Sequence, residues 1–230
     1  MIPEVEMPLS EDPLTFFDET RNMLENATHV RTVDDSSTYY MKVGRHHCMR
    51  MLTTFSLREY DLMSLVVAFS SWWKFGDIIP DLEDIEMIEE NSVTNFTLAM
   101  KIRLPIPFKR RFFALNVSVI EYGDRDVLVV GREVTHQHLT HRFNTGRVVP
   151  ITMSFVCLLQ NNEEELRLNM NVIINPEIAI VPGWLVRFFT YVRAHKEIQG
   201  LKTVASTAEP DVYAEREPAR FEYIKHLCER

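Results

Sequence analysis

The sequence predicts an α+β protein in which a curved antiparallel sheet of about nine strands wraps around a long C-terminal helix. Two observations carry that prediction. The first is the stretch Pro182–Leu201, PGWLVRFFTYVRAHKEIQGL, which reads as one helix. Pro182 suits a first helical position, where its missing N–H costs nothing, and Gly200 suits the end. At about 100° per residue, Trp184, Leu185, Phe188, Phe189, Tyr191 and Val192 form one broad apolar face, and Arg187, Thr190 and Arg193 take the other. The second observation is the run of segments before it, which alternate apolar and polar residues and are joined mostly by short turns. Short turns imply antiparallel neighbours. Alternation implies one buried face per strand, and the helix supplies the complementary apolar surface.

In chain order, residues 1 to 9 read as a loose tail. Ser10 suits the cap of a helix that carries Pro13 near its start and buries Phe16, Phe17, Met23 and Leu24. Three strand-like runs come next, His29–Val33, Thr38–Val43 and Met49–Phe55, divided by Asp34-Asp35-Ser36-Ser37 and Gly44. Ser56 or Thr54 caps the next helix, roughly Leu57 to Phe75, which is rich in large apolar residues including Trp72 and Trp73. Leu82–Glu89 reads as a short or edge strand. Val93–Arg103 is a firmer one, with Phe96, Leu98, Met100 and Ile102 on one face. Two prolines in Leu104–Lys109 interrupt the ladder. Arg111–Tyr122 and Asp126–Val134 form a hairpin through Gly123-Asp124, and Thr135–Arg147 is a polar loop. Val148–Gln160 and Glu165–Ile174 alternate most clearly of all. After Lys202, Ser206–Pro218 reads as a polar linker and Glu217–Arg230 as a terminal helix built on Phe221, Ile224 and Leu227.

Bulk properties narrow the function classes. The chain has 25 basic and 33 acidic residues, a formal net charge of −8. That balance argues against a nucleic-acid backbone as partner, since such binders show a basic face. It also argues against charge-driven adsorption to an anionic membrane, while leaving room for transient contact through a small patch. The three cysteines, Cys48, Cys157 and Cys228, are far apart and odd in number. Reduced thiols in a cytoplasmic protein are the simplest reading. The N-terminal MIPEVEMPLSEDP lacks the apolar core of a signal peptide, and no run of about 18 apolar residues suggests a membrane span.

Local stretches add a resemblance. Val181-Pro-Gly-Trp-Leu-Val186 resembles the proline-x-tryptophan-leucine-valine opening of the last helix in START domains (steroidogenic acute regulatory protein-related lipid transfer). Ser71-Trp-Trp-Lys74 before an acidic strand resembles that family's tryptophan-bearing segment. Pro107-Phe-Lys-Arg-Arg-Phe-Phe113 stands where the family has a proline and then an arginine-aspartate-phenylalanine step, but Arg111-Phe112 lacks the aspartate. Arg147-Val-Val149 is similar, loosely, to the entry of the penultimate strand. The resemblance spans residues 10–202 as one lipid-binding domain and leaves 203–230 as a C-terminal extension.

The resemblance implies a helix-grip fold and a tunnel between the concave sheet and the last helix, holding one lipid or sterol-like molecule without cofactor or metal. Such a carrier must shield apolar surface worth about 25 cal/mol per Å². On this reading Phe113, Leu115, Val117, Met153, Phe155, Leu168, Met170, Phe188 and Val192 line the tunnel; the alternative is that they are plain core. A gate is expected between the last helix and the Leu104–Lys109 loop, where Ile106, Phe108 and Lys109 make an apolar-basic tip suited to a bilayer surface. The alternative there is a proline turn with Phe108 tucked into the core.

Other chemistry is less well supported by the residues. His136, His138 and His141 have H-x-H-x-x-H spacing, but in a loop without a fixed scaffold a solvated role is favoured over a zinc site. His46-His47-Cys48 alternates across a strand turn and is read as structural. His195 falls near the apolar face of the last helix. Arg103, Arg132 and Arg167 are expected to face outward; turned inward beside Glu121 or Glu133, one of them could hold a polar headgroup. No Gly-rich phosphate loop, G-x-S-x-G or H-E-x-x-H is present. Two alternatives to a non-enzymatic lipid binder therefore stay open: a helix-grip cyclase or hydrolase, which needs a polar acid/base pair inside the cavity, with buried His195 and a carboxylate partner as the pair to look for, and a ligand-free interaction module that uses the C-terminal tail.

Overall fold

The computed structural model describes residues 27–33, 36–43, 48–123, 125–134, 148–161, 165–175, 178 and 181–229. The expected N-terminal helix, His46 and His47, and the histidine loop His136, His138 and His141 lie outside the described residues.

Among the described residues, ten strands form one sheet: β1 (Thr28–Val33), β2 (Ser36–Val43), β3 (Cys48–Ser56), β4 (Leu82–Ser92), β5 (Asn95–Ile102), β6 (Arg110–Tyr122), β7 (Asp126–Glu133), β8 (Val148–Pro150), β9 (Thr152–Asn161) and β10 (Leu166–Asn175). Nine run in the order β1-β2-β3-β10-β9-β7-β6-β5-β4, and β8 pairs with β6 off that path. Every pairing along the path is antiparallel, while β8 is parallel to β6. The expected strand Val148–Gln160 is therefore two. It breaks at Ile151, whose N–H leaves the β9 ladder and donates to the Phe112 carbonyl at 2.9 Å. The β6–β7 hairpin turns through Gly123 at φ 66°, a left-handed conformation that costs glycine little. β4 is an edge strand and longer than expected.

The concave face carries the main core. Phe96, Leu98, Met100 and Ile102 of β5 are all buried there, beside Leu115 and Val117 of β6 and Leu159 of β9. The opposite face is not uniformly polar, as alternation suggested. Leu128, Val130, Val156, Leu158 and Ile173 form a separate apolar cluster, and Ala99, Phe112 and Ala114 another.

The expected helix at Leu57–Phe75 is an α-helix over Leu62–Ser70, a 3₁₀ turn over Trp72–Lys74 and a short α-helix over Phe75–Ile78. Its cap is Asp61 rather than Ser56 or Thr54: the carboxylate accepts from the Ser64 N–H at 2.8 Å.

The long helix departs most from the sequence reading. It is α-helical over Gly183–Arg187, π-helical over Phe188–Arg193 and α-helical again over Ala194–Ser206. A π turn holds one residue more than an α turn, so residues C-terminal to it are rotated by about 100° around the helix axis. Tyr191 and Val192, expected on the apolar face, are 38% and 42% exposed, whereas Thr190 and Arg193 are buried. Gly200 does not end the helix. A Cβ there would meet the Asp77 carbonyl and the Ile78 Cα at 2.6 Å, so its bare backbone is what lets the long helix rest against Phe75–Ile78.

The stretch expected as a linker, Ser206–Pro218, is itself largely helical, and the expected terminal helix follows it. Two further helices, Pro210–Arg216 and Pro218–Cys228, bury Tyr213, Ile224 and Leu227 in the main core. Arg220, 2% exposed, ties the last helix to the β4–β5 hairpin by donating from Nε to the Val93 carbonyl at 3.0 Å and from Nη2 to Glu90 at 2.7 Å.

Candidate functional site

An apolar cavity lies between the concave face of the sheet, the C-terminal half of the long helix and the Phe75–Ile78 turn. Its walls come from five strands. β3 gives Phe55, β5 gives Met100, and β6 gives Phe113, Leu115 and Val117; β9 gives Met153 and Phe155, and β10 gives Met170 and Val172. Period-two alternation is what turns each of these side chains to the same face. Phe69, Phe75, Ile78 and Ile79 close one side, and Ile198 and Leu201 of the long helix close another.

The atom-free space is about 810 Å³ if the part continuous with solvent is counted. The space open to the centre of a water molecule is about 90 Å³. The larger figure includes open solvent, and the smaller counts only positions of a water centre, so the volume of an occupant lies between the two. The cavity as it stands is narrow and its methionines, Met100, Met153 and Met170, are the adaptable part of its wall.

Of the residues assigned to a tunnel, Phe113, Leu115, Val117, Met153, Phe155 and Met170 border this space. Three others do not. Leu168 is fully buried in the core. Phe188 packs edge-on against Phe189 at 5.6 Å between ring centroids. Val192 is turned outward by the π segment. The same rotation puts into the wall a residue expected on the polar face, Arg193, together with Glu197 one turn on. Among the described residues, these are the only two ionisable side chains in the lining. Arg193 Nε donates to Glu197 Oε1 at 2.7 Å, its guanidinium lies 5.6 Å from the Phe189 ring centroid, and its buried Nη1 has no hydrogen-bond partner among the described residues. No residue pattern marked Arg193, since a π turn leaves no periodic signature of its own.

Gly131 is a second residue that sequence reasoning passed over. It pairs with Phe155 across β7 and β9, and a Cβ on it would fall 2.1 Å from the Phe155 ring. A lone glycine inside an otherwise alternating strand was the available signal.

The Leu104–Lys109 loop lies away from the cavity lining. Ile106 is 92% exposed. Phe108 is half-buried, with its ring 5.5 Å from that of Trp184, itself 44% exposed, and Lys109 is exposed beside them. Arg103, Arg132 and Arg167 all point outward, and Arg103 and Arg110 converge on Glu83. Those two guanidinium groups hold the Glu83 carboxyl below its usual range. His195 is half-buried in a separate shallow pocket with Arg31, Thr190 and Tyr191. Among the described residues, no cluster of His, Cys, Asp and Glu is placed to hold a metal ion, and no helix is long and apolar enough to cross a membrane.

No protein-family model matches the chain, and no curated protein matches it. Solved structures do. Human STARD10 superposes with a TM-score of 0.74 at 12% identity, covering 98% of this chain and 91% of that one. Human StAR-related lipid transfer protein 5 gives 0.68 at 11% identity, covering 85% and 93%. A STAR-related lipid transfer protein from Xanthomonas axonopodis gives 0.63 at 13% identity, covering 78% and 98%. The likeness to STARD10 takes in nearly the whole chain, beyond the stretch 10–202 that carried the sequence resemblance. At these identities what is shared is architecture: the chain has the helix-grip fold of START domains, a curved antiparallel sheet closed by a long C-terminal helix.

Proposed function

We propose that this protein binds a single lipid or other hydrophobic molecule in the cavity and carries or senses it, without catalysis. The observation that carries the reading is the wall itself: seventeen residues of which fifteen are apolar, brought from five strands and three helical segments to one cavity. Concave, mostly apolar sites with a few polar groups are the usual form of small-molecule pockets. The solved structures of like fold include proteins named for lipid transfer, which agrees with this reading. An enzyme on the same scaffold needs a polar acid/base pair inside the cavity, and His195 with a carboxylate is the pair to look for. His195 instead sits in the shallow pocket beside β1 and β2, so that reading has less support.

Exchange with a membrane requires a contact surface, and Ile106, Phe108, Lys109 and Trp184 supply an apolar tip with a basic neighbour at the start of the long helix. Transfer of a fluorescent lipid between two vesicle populations tests the proposal. Substoichiometric protein accelerates transfer; a rate equal to that of vesicles alone removes the carrier reading.

A further inference from the structure

The π segment Phe188–Arg193 does something costly: it exposes Tyr191 and Val192 and buries Arg193. Rare π turns persist where they serve a function. Here the consequence is a guanidinium, 3% exposed, in an otherwise apolar wall. Glu197 accepts from its Nε, but among the described residues the buried Nη1 has no acceptor, and a buried donor left unmet is expensive.

We infer that Arg193 is the anchoring residue for a neutral lipid head that presents a hydroxyl or carbonyl oxygen. The inference rests on the reading of the cavity as a ligand site. Charge decides the class. Arg193 and Glu197 already neutralise each other, and among the described residues no third ionisable group lines the cavity. An anionic head, a carboxylate or a phosphate, brings a second negative charge beside Glu197 in apolar surroundings, where charge is least tolerated. A neutral oxygen accepts from Arg193 at no such cost. A hydroxyl can in addition donate to Glu197.

The test uses three chains of equal length that differ only in the head: radiolabelled dodecane, dodecanol and dodecanoic acid, each equilibrated between the full-length protein and cyclodextrin near neutral pH. One hydrogen bond to a charged group should favour dodecanol over dodecane by about tenfold or more, and the ionised acid should be retained less than the alcohol. In Arg193→Met the ratio of alcohol to hydrocarbon should fall to about one. In Glu197→Gln the guanidinium loses its counter-charge, so dodecanoic acid should overtake dodecanol. That inversion depends on the charge of Arg193 and not on the shape of the wall. Equal retention of dodecane and dodecanol by the unaltered protein, or an acid preferred by it, overturns the inference and leaves the cavity reading standing. Retention of none of the three overturns both.

Discussion

Gly200 lies directly against Ile78: a Cβ added to it would come within 2.6 Å of the Ile78 Cα and 2.7 Å of its carbonyl oxygen. These are backbone atoms and cannot swing away. Ile78 and Leu201, on either side of this contact, both line the cavity. Gly200→Ala should therefore push the long helix off the Phe75–Ile78 turn. We expect a loss of about 1–3 kcal/mol, the usual range for overpacking, read as a lower midpoint in urea. Helix propensity alone gives the opposite sign, since alanine is favoured over glycine inside a helix; a stabilised variant would show that the contact is loose.

The Gly131–Phe155 pair behaves differently, because the obstacle is a side chain. Gly131→Ala should drive the Phe155 ring into the cavity space it now borders. Ligand retention should fall more than stability does. The double variant Gly131→Ala/Phe155→Leu should recover retention, giving a non-additive cycle of the kind seen for touching residues.

The two C-terminal helices make folding sensitive to alkali. Burial pushes the Tyr213 phenol from 10.0 up to about 12, and burial, with Asp61 and Glu229 nearby, pushes the Cys228 thiol from 9.0 up to about 12. Both groups keep in the folded state protons that the unfolded chain releases earlier. Their contribution is fully present below about pH 9 and is lost as pH rises toward about 12, at up to about 1.4 kcal/mol per pH unit for each group. Urea midpoints measured across that range should fall, and Tyr213→Phe with Cys228→Ser should flatten the slope. Trp73, stacked on Tyr213 at 5.6 Å and covered by the Arg216 guanidinium at 3.9 Å, gives the fluorescence signal for release of these helices.

The proposed membrane tip is separable from the cavity. Ile106→Glu removes its most exposed apolar residue without touching the lining. Burying an isoleucine side chain is worth about 1.5–3 kcal/mol, so co-sedimentation with vesicles should weaken by about tenfold or more. Retention of dodecanol by the same variant should be unchanged. Vesicle binding that does not change places the contact elsewhere.

Much of the sheet was legible because period-two alternation maps directly onto a two-sided ladder. Leu166, Leu168, Met170 and Val172 announce β10, and Phe113, Leu115 and Val117 announce the cavity face of β6. What stayed hidden came from tertiary contacts that override local pattern. Gly200 has the look of a helix stop, and only the approach of Ile78 reveals why a glycine stands in the helix interior. Arg193 reads as a solvated residue until the π turn rotates it inward. The terminal helix built on Ile224 and Leu227 was legible. The stretch Ser206–Pro218 looks polar, yet Pro210 opens a helix there whose Tyr213 is a lone core contact with no periodic partner to mark it. The apolar patches on the outer side of β7 and β9 were obscured because their residues alternate with equally apolar ones facing the core.

Native mass spectrometry of the purified protein, with organic extraction of what it carries, tests the central claim most directly. The account predicts a stoichiometric adduct, either as isolated or after incubation with mixed liposomes, whose extracted mass belongs to a neutral lipid bearing a hydroxyl or carbonyl. A protein that stays free of any adduct after that incubation would contradict it and return the fold to the enzyme or interaction readings.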